Sequence, residues 1–188
     1  MKDISDLEII ESVRNGNHSD YSLLIDRYKN RAFSMLKKML KNQMDAEEVL
    51  QDSFLKAYSG LTTFRHEAKF STWFYRIVYN TALTRISASK RKIENEMSSI
   101  DELPELKSDY DFENSEKKDV SRFISETIEQ LPPKYATVIN MFYIDGMSCE
   151  EVSEVMNISV PNVKVILHRS RNALKDLLIA RDYVKEIL

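Results

Sequence analysis

Five aromatic side chains crowd ten residues of this chain: Phe70, Trp73, Phe74, Tyr75 and Tyr79. Arg76 lies among them, and Arg85, Lys90, Arg91 and Lys92 follow. Aromatic rings stack on unpaired nucleic-acid bases for about 1–3 kcal/mol each, while Lys and Arg neutralise phosphates. Opening a duplex without ATP requires that an extruded base be captured, which an aromatic and polar pocket beside a basic helix is able to do. Core packing competes for the same rings. At least two of the five are expected to be core, Phe74 and one tyrosine among them.

A second group lies nearer the C-terminus. Val163, Leu167, Ser170 and Leu174 form an inner helical stripe, so Asn162, Lys164, Val165, His168, Arg169 and Arg171 point outward or sideways. Asn162 or Lys164 suits base edges, Arg169 and Arg171 suit phosphates, and Val165 suits a thymine methyl. In a third group, Glu48, Gln51, Asp52 and Leu55 fall opposite an inward set of Ala46, Val49, Leu50, Phe54, Ala57 and Tyr58. An outward Leu amid carboxylates and an amide fits a helix-in-groove contact with another protein; a solvated acidic face is the plainer alternative.

Enzymatic chemistry finds no foothold. His18, His66 and His168 lack metal-ligand spacing, and the single cysteine, Cys149, excludes an internal disulfide or a cysteine-built zinc site. No phosphate loop, nucleophile elbow or HExxH-type motif occurs. No cofactor and no catalysis are expected.

These groups need helices to position them. Asp6 to Asn15 forms a first short helix with Leu7, Ile10 and Val13 on one face and Gly16 as its C-cap. Ser19 is expected to cap a longer one, whose stripe is Tyr21, Leu24, Ile25, Tyr28, Ala32, Met35, Leu36 and Met39. Asp45, with Glu48 three residues on, reads as the N-cap of a third helix that Gly60 closes. A connection from Leu61 to Lys69 leads into a fourth, from Phe70 to the basic end Lys90-Arg91-Lys92. A second helical block starts near Asp119, stops at Pro132-Pro133 and resumes from Lys134 to Asp145-Gly146. Ser148 with Glu151 is a capping box, Asn157-Ile158-Ser159 is a tight turn, and Ser159 caps the last helix, with Pro161 in its first turn. Two helices on a three-residue turn, the second basic, describe a helix-turn-helix.

Composition agrees. Of 188 residues only three are glycine and four proline, far too few for a turn-rich β fold. The net charge of −3 resolves into +5 over residues 1–93, −7 over 94–119 and −1 over 120–188. The acidic stretch has no apolar period and reads as a flexible linker. The expected architecture is therefore all-α: a helical domain at 1–93, an acidic linker at 94–118 and a helix-turn-helix domain at 119–188. No apolar run approaches the roughly 20 residues that cross a bilayer. The first six residues lack the basic and apolar regions of a signal peptide, so no membrane insertion and a cytoplasmic address are expected.

Three stretches in order resemble the bacterial extracytoplasmic-function (ECF) sigma factors, small two-domain subunits of RNA polymerase. Residues 45–58, DAEEVLQDSFLKAY, look like the family's core-polymerase-binding helix. Phe64-Arg65, then FSTWFYRI at 70–77 and Asn80, look like its promoter-melting, −10-reading helix. Leu131-Pro132-Pro133-Lys134, Gly146-Met147-Ser148 and Ile158-Ser159-Val160 through Arg171 look like its −35-reading domain. The resemblance implies that Glu48, Gln51, Asp52 and Leu55 meet the clamp coiled coil of the polymerase's largest catalytic subunit. It implies that Arg65, Phe70, Trp73, Arg76, Asn80, Arg85, Lys90 and Arg91 bind and melt the −10 DNA, with the 61–69 connection supplying pocket walls. Asn162, Lys164, Val165, His168, Arg169 and Arg171 then read −35. It further implies an anti-sigma protein wedged between the two domains, and a linker directed toward the active-site cleft and RNA exit channel; a solvated tether is the alternative.

The chain departs from the family pattern in places. The family commonly has Gly-Thr where Pro161-Asn162 stand, Ser-Arg at Val165-Ile166 and Asp at Thr84. The loss of polar groups at Val165 and Ile166 predicts weaker or retuned promoter recognition, with another factor helping to place the polymerase. Two other functions stay open on the residues alone: a DNA-binding regulator whose first domain only dimerises or senses an effector, and an adaptor that bridges polymerase without melting DNA.

Overall fold

The structure, a computed structural model, describes residues 4–97 and 116–180, with side chains over 4–91 and 123–180. Eight α-helices are described: α1 (Asp6–Arg14), α2 (Tyr21–Leu40), α3 (Gln43–Gly60), α4 (Phe70–Met97), α5 (Glu116–Gln130), α6 (Pro133–Ile139), α7 (Cys149–Met156) and α8 (Val160–Ala180). No strand occurs among the described residues. Residues 98–115, most of the expected linker, lie outside the described residues. The backbone is helical at 94–97 and 116–118, so α4 and α5 reach into what the sequence pattern assigned to the linker.

The helix starts follow hydrogen-bond chemistry that short motifs express unevenly. Ser5 caps α1 in a capping box with Glu8, and Ser148 caps α7 in another with Glu151. Ser19 caps nothing: it sits in a 3₁₀ turn, His18–Asp20, and α2 begins at Tyr21. Nor does Asp45 cap α3. Asn42 does, accepting the Asp45 backbone N–H at 3.0 Å, which frees the Asp45 carboxylate for another partner. Gly16 takes φ +101° beyond α1, a left-handed geometry that favours glycine. Gly60, by contrast, is ordinary right-handed backbone, and its lack of a Cβ matters for another reason: such an atom would stand 3.0 Å from the Trp73 ring.

The predicted α2 stripe is buried throughout, with Ile25 only half so. In α1 the buried set is Ile9, Ile10 and Val13, while Leu7 faces solvent. Phe54 and Phe74 stack at 4.7 Å between ring centres, and Tyr28 and Phe70 close around them. Rings and aliphatics together remove the apolar faces of α1–α4 from water, the dominant favourable contribution to the fold.

One core continues from the first helical unit into the second. Val138, Met141, Met147, Val152, Val155 and Val163 join the cluster that holds Phe74, Tyr75 and Val78. α4 packs on α7 and α2 packs on α6. A smaller cluster, Ile128, Leu131, Ala136 and Ile139, seats α5 and α8 on α6. The single helix expected from Lys134 to Asp145 is α6 followed by a π turn over Asn140–Ile144. That extra-wide turn coincides with buried Asn140, which donates from Nδ2 to Asp145 Oδ2 at 2.9 Å, while Gly146 (φ +69°) redirects the chain.

Candidate polymerase and nucleic-acid interfaces

A 28-residue helix such as α4 has room for two faces, and its sequence divides them. At 100° per residue, Trp73, Arg76, Asn80, Lys90 and Arg91 fall within about 60° of the direction of Arg76. Arg76, Asn80, Lys90 and Arg91 are exposed and Trp73 is half-buried. Phe70, Phe74 and Tyr75 are buried, so three of the five aromatics are core. Phe70 is 2% exposed, locked against Phe64, Trp73 and Phe74, and too little of its ring is exposed for a base to stack on it. Its assignment to the DNA-facing set is corrected on that ground. Trp73, tilted across Phe64 at 4.9 Å, is the ring left at the surface of this cluster.

The connection before α4 is anchored by a residue the motifs did not single out. Arg14 donates from Nε and Nη2 to the Leu61 carbonyl at 3.0 and 2.7 Å, and from Nη2 also to the Phe64 carbonyl. Arg65 stays exposed beside it, and His66 takes a left-handed φ of +59°. An open cleft of about 480 Å³ lies here, lined by Asp6, Leu7, His66, Glu67, Lys69, Phe70 and Ser71. Arg14 ends a helix two residues before a glycine, which reads as an ordinary C-terminal charge; only the fold reveals what its guanidinium holds.

Arg85 departs from expectation. Its Nε and Nη2 donate to Asp45 Oδ1 at 3.0 and 2.7 Å, its Nη1 to Glu48 Oε1 at 3.2 Å, and its Nη2 also to Glu48 Oε2. The guanidinium is thus directed into α3. Glu48 is occupied from that side while remaining exposed; Gln51, Asp52 and Leu55 are exposed, Leu55 by 66%. Inward on α3 the structure agrees on Ala46, Val49, Phe54 and Ala57, adds Ser53, and leaves Leu50 half-buried. Tyr58 sits at the edge, 37% exposed, with its hydroxyl 2.9 Å from His18 Nδ1.

In the second unit, Ser148 starts α7, Asn157 ends it at φ +52°, and the Val163 N–H reaches back to the Ser159 carbonyl at 3.0 Å as α8 begins. Asn162, Lys164, Val165, His168, Arg169 and Arg171 are all exposed on α8. Ile166 is 8% exposed and belongs to the core. It cannot be a lost reading residue, so of the two apolar departures only Val165, 47% exposed, changes the outward face.

Where the units meet, polar groups are buried as well. Lys38 is 3% exposed and donates from Nζ to Ser34 Oγ at 2.8 Å; burial pushes its ammonium pKa down. Tyr75 OH and Asp145 Oδ1 are buried without a completed hydrogen bond among the described residues. Burial drives the Asp145 carboxyl up to about 6, against the opposing pull of Tyr75, Asn140, Arg31 and Lys38. Among the described residues no group of His, Cys, Asp or Glu is placed to hold a metal, and no helix is long and apolar enough to cross a membrane.

The fold and these faces define a helical DNA-binding protein with a helix-turn-helix and a separate basic, aromatic helix. Comparison with known proteins is specific. Sigma-70 region 2 matches residues 24–92, and Sigma-70, region 4 matches residues 124–174. The chain is 35% identical over 176 residues to the ECF RNA polymerase sigma factor SigW of Bacillus subtilis, covering 90% of this chain and 94% of the relative. It is 31% identical over 184 residues to the ECF RNA polymerase sigma-E factor of Haemophilus influenzae, covering 92% and 95%. The fold is shared with CnrH, solved in complex with the cytosolic domain of CnrY (TM-score 0.62, 23% identity, 92% of this chain and 96% of that one). It is shared too with the sigma factor RpoE of Bartonella quintana, solved with the anti-sigma factor NepR (TM-score 0.66, 16% identity, 85% and 96%).

The chain belongs to the ECF RNA polymerase sigma factors. It is a non-enzymatic initiation subunit that binds core RNA polymerase and directs it to promoter DNA.

Proposed function

We propose a division of that work among the helices. The exposed face of α3, Gln51, Asp52 and Leu55 with the outer edge of Glu48, docks on the clamp coiled coil of the largest polymerase subunit. The face of α4 carrying Trp73, Arg76, Asn80, Lys90 and Arg91, with Arg65 on the preceding connection, captures the −10 strand. The outward side of α8, Asn162, Lys164, Val165, His168, Arg169 and Arg171, enters the −35 major groove. The observation that carries the reading is the segregation of α4: cations, Asn80 and a surface Trp on one face, and Phe74, Tyr75 and Val78 on another.

The regulators named in the solved relatives suggest a further partner. An anti-sigma protein binds this chain at the seam between its two helical units, where α4 meets α7. The polymerase it serves gives it a cytoplasmic place of work. Co-elution with core polymerase and rescue of run-off transcription test the assignment; loss of co-elution in Leu55→Asp, with thermal melting unchanged, tests the α3 surface.

A further inference from the structure

The one basic residue of the predicted −10 set that points away from the others is Arg85. Nine residues separate it from Arg76, which at 100° per residue places it about 180° around α4, and it stands about 140° from Asn80. A side chain there faces α3. Its donors are spent accordingly, on both the Asp45 and the Glu48 carboxylates, from Nε, Nη1 and Nη2. Lys56 makes a second tie across the same helix pair, from Nζ to Thr81 Oγ1 at 3.2 Å. Asp45 is available because Asn42, not Asp45, caps α3. Asp45 stands in the first turn of α3, where a carboxylate is favoured by the helix dipole, and the planar guanidinium bridges it to Glu48 as an ammonium could not.

We propose that Arg85 is a positioning residue for promoter opening. It fixes the polymerase-binding helix α3 to the DNA-facing helix α4 through Asp45 and Glu48, and it makes no DNA contact itself. This rests on the assignment of α3 to polymerase and α4 to DNA. Its consequence is mechanical: polymerase holds α3, DNA is held on the far face of α4, and Arg85 sets the angle at which α4 presents Trp73, Arg76 and Asn80.

The test uses full-length factor with core polymerase at saturating factor, and reads open complexes by permanganate reactivity of promoter thymines. Arg85→Ala and Asp45→Ala are each expected to lower opening by about two- to fivefold, the range for a surface ion-pair network. The double variant is expected to be no worse than either single one. Arg85→Lys, which keeps the charge but cannot bridge both carboxylates, is expected to recover only part of the lost opening. The salt dependence of promoter affinity should be unchanged in Arg85→Ala. The proposal is overturned if Asp45→Ala opens promoters normally, if Arg85→Ala opens them as well as the unaltered protein, or if Arg85→Ala flattens the log–log salt slope by roughly 0.7–0.9, the mark of one lost phosphate contact. Leu55→Asp in the same series reports on the α3 assignment separately: retained polymerase binding there removes the underlying reading, whatever Arg85 does.

Discussion

Lys69, one residue before α4, pairs its Nζ with Glu151 Oε1 of α7 at 2.9 Å, while Glu151 Oε2 accepts the Ser148 backbone N–H at 2.9 Å. One carboxylate therefore both caps the first helix of the helix-turn-helix and ties it to the threshold of α4. With the shared core behind it, this pair describes a docked factor. Promoter elements named −10 and −35 stand about 25 base pairs apart, or about 85 Å of duplex at 3.4 Å per step. Two units that share a core cannot reach both at once, so the proposed reading of −10 by α4 and −35 by α8 predicts that the units separate on the promoter.

That separation should depend on pH through Asp145. Burial at the seam pushes its carboxyl up to about 6 from an ordinary 3.8, so docking takes up a proton. The contribution of this group to docking is fully present below about pH 4 and is lost as pH rises through 6. Interdomain fluorescence energy transfer should therefore fall between pH 5 and 7, and Asp145→Asn should flatten that profile and stay docked at pH 7.5. An identical profile in the variant would contradict this.

Phe74 is completely buried between Phe54, Phe70 and Tyr28. Truncation to Ala should cost about 3–5 kcal/mol in denaturant unfolding, through lost transfer energy and the cavity left behind. A loss below about 1 kcal/mol would mean the aromatic cluster repacks.

Gly60→Ala tests how Trp73 is held. The new Cβ would stand 3.0 and 3.2 Å from two ring carbons, and the backbone at Gly60 is an ordinary right-handed one, so strain cannot explain an effect. The indole should shift, seen as altered Trp fluorescence, and promoter opening should fall while polymerase affinity holds.

On α8, Arg169→Ala should weaken binding across promoter sequences alike and lower the log–log salt slope by about 0.9. Lys164→Ala should instead cost about 1–3 kcal/mol selectively, relaxing preference at one −35 position. Footprint titrations on matched and mutated −35 elements separate the two outcomes.

Much of this was legible in the chain. The α2 stripe, the Ser148–Glu151 capping box and the Val163, Leu167, Ser170 side of α8 follow from period and spacing, because each involves residues within a turn or two of one another. Less legible are helix starts where several polar residues compete, as at Ser19 and Asn42–Asp45, and side chains whose partners lie far along the chain. Asp45 looked like a cap because nothing local announces Arg85, forty residues away. Phe70 looked like a stacking ring because periodicity alone does not tell a core aromatic from a surface one. Ile166 looked like a lost reading residue until α8 was seen to turn it into the core. Nothing in composition signals buried Lys38 or half-buried Asp145, charged residues whose surroundings exist only once α2, α4 and α6 meet.

The central claim is that this chain melts promoters through one face of α4. The most direct measurement is permanganate reactivity of −10 thymines with core polymerase, comparing the unaltered factor with Trp73→Ala and Asn80→Ala at matched holoenzyme occupancy. The account predicts reactive thymines with the unaltered factor and at least a tenfold loss (~1.4 kcal/mol, the scale of one stacked base) in Trp73→Ala, with polymerase affinity retained. Thymines that stay unreactive with the unaltered factor, or reactivity in both variants equal to that of the unaltered factor, would contradict it.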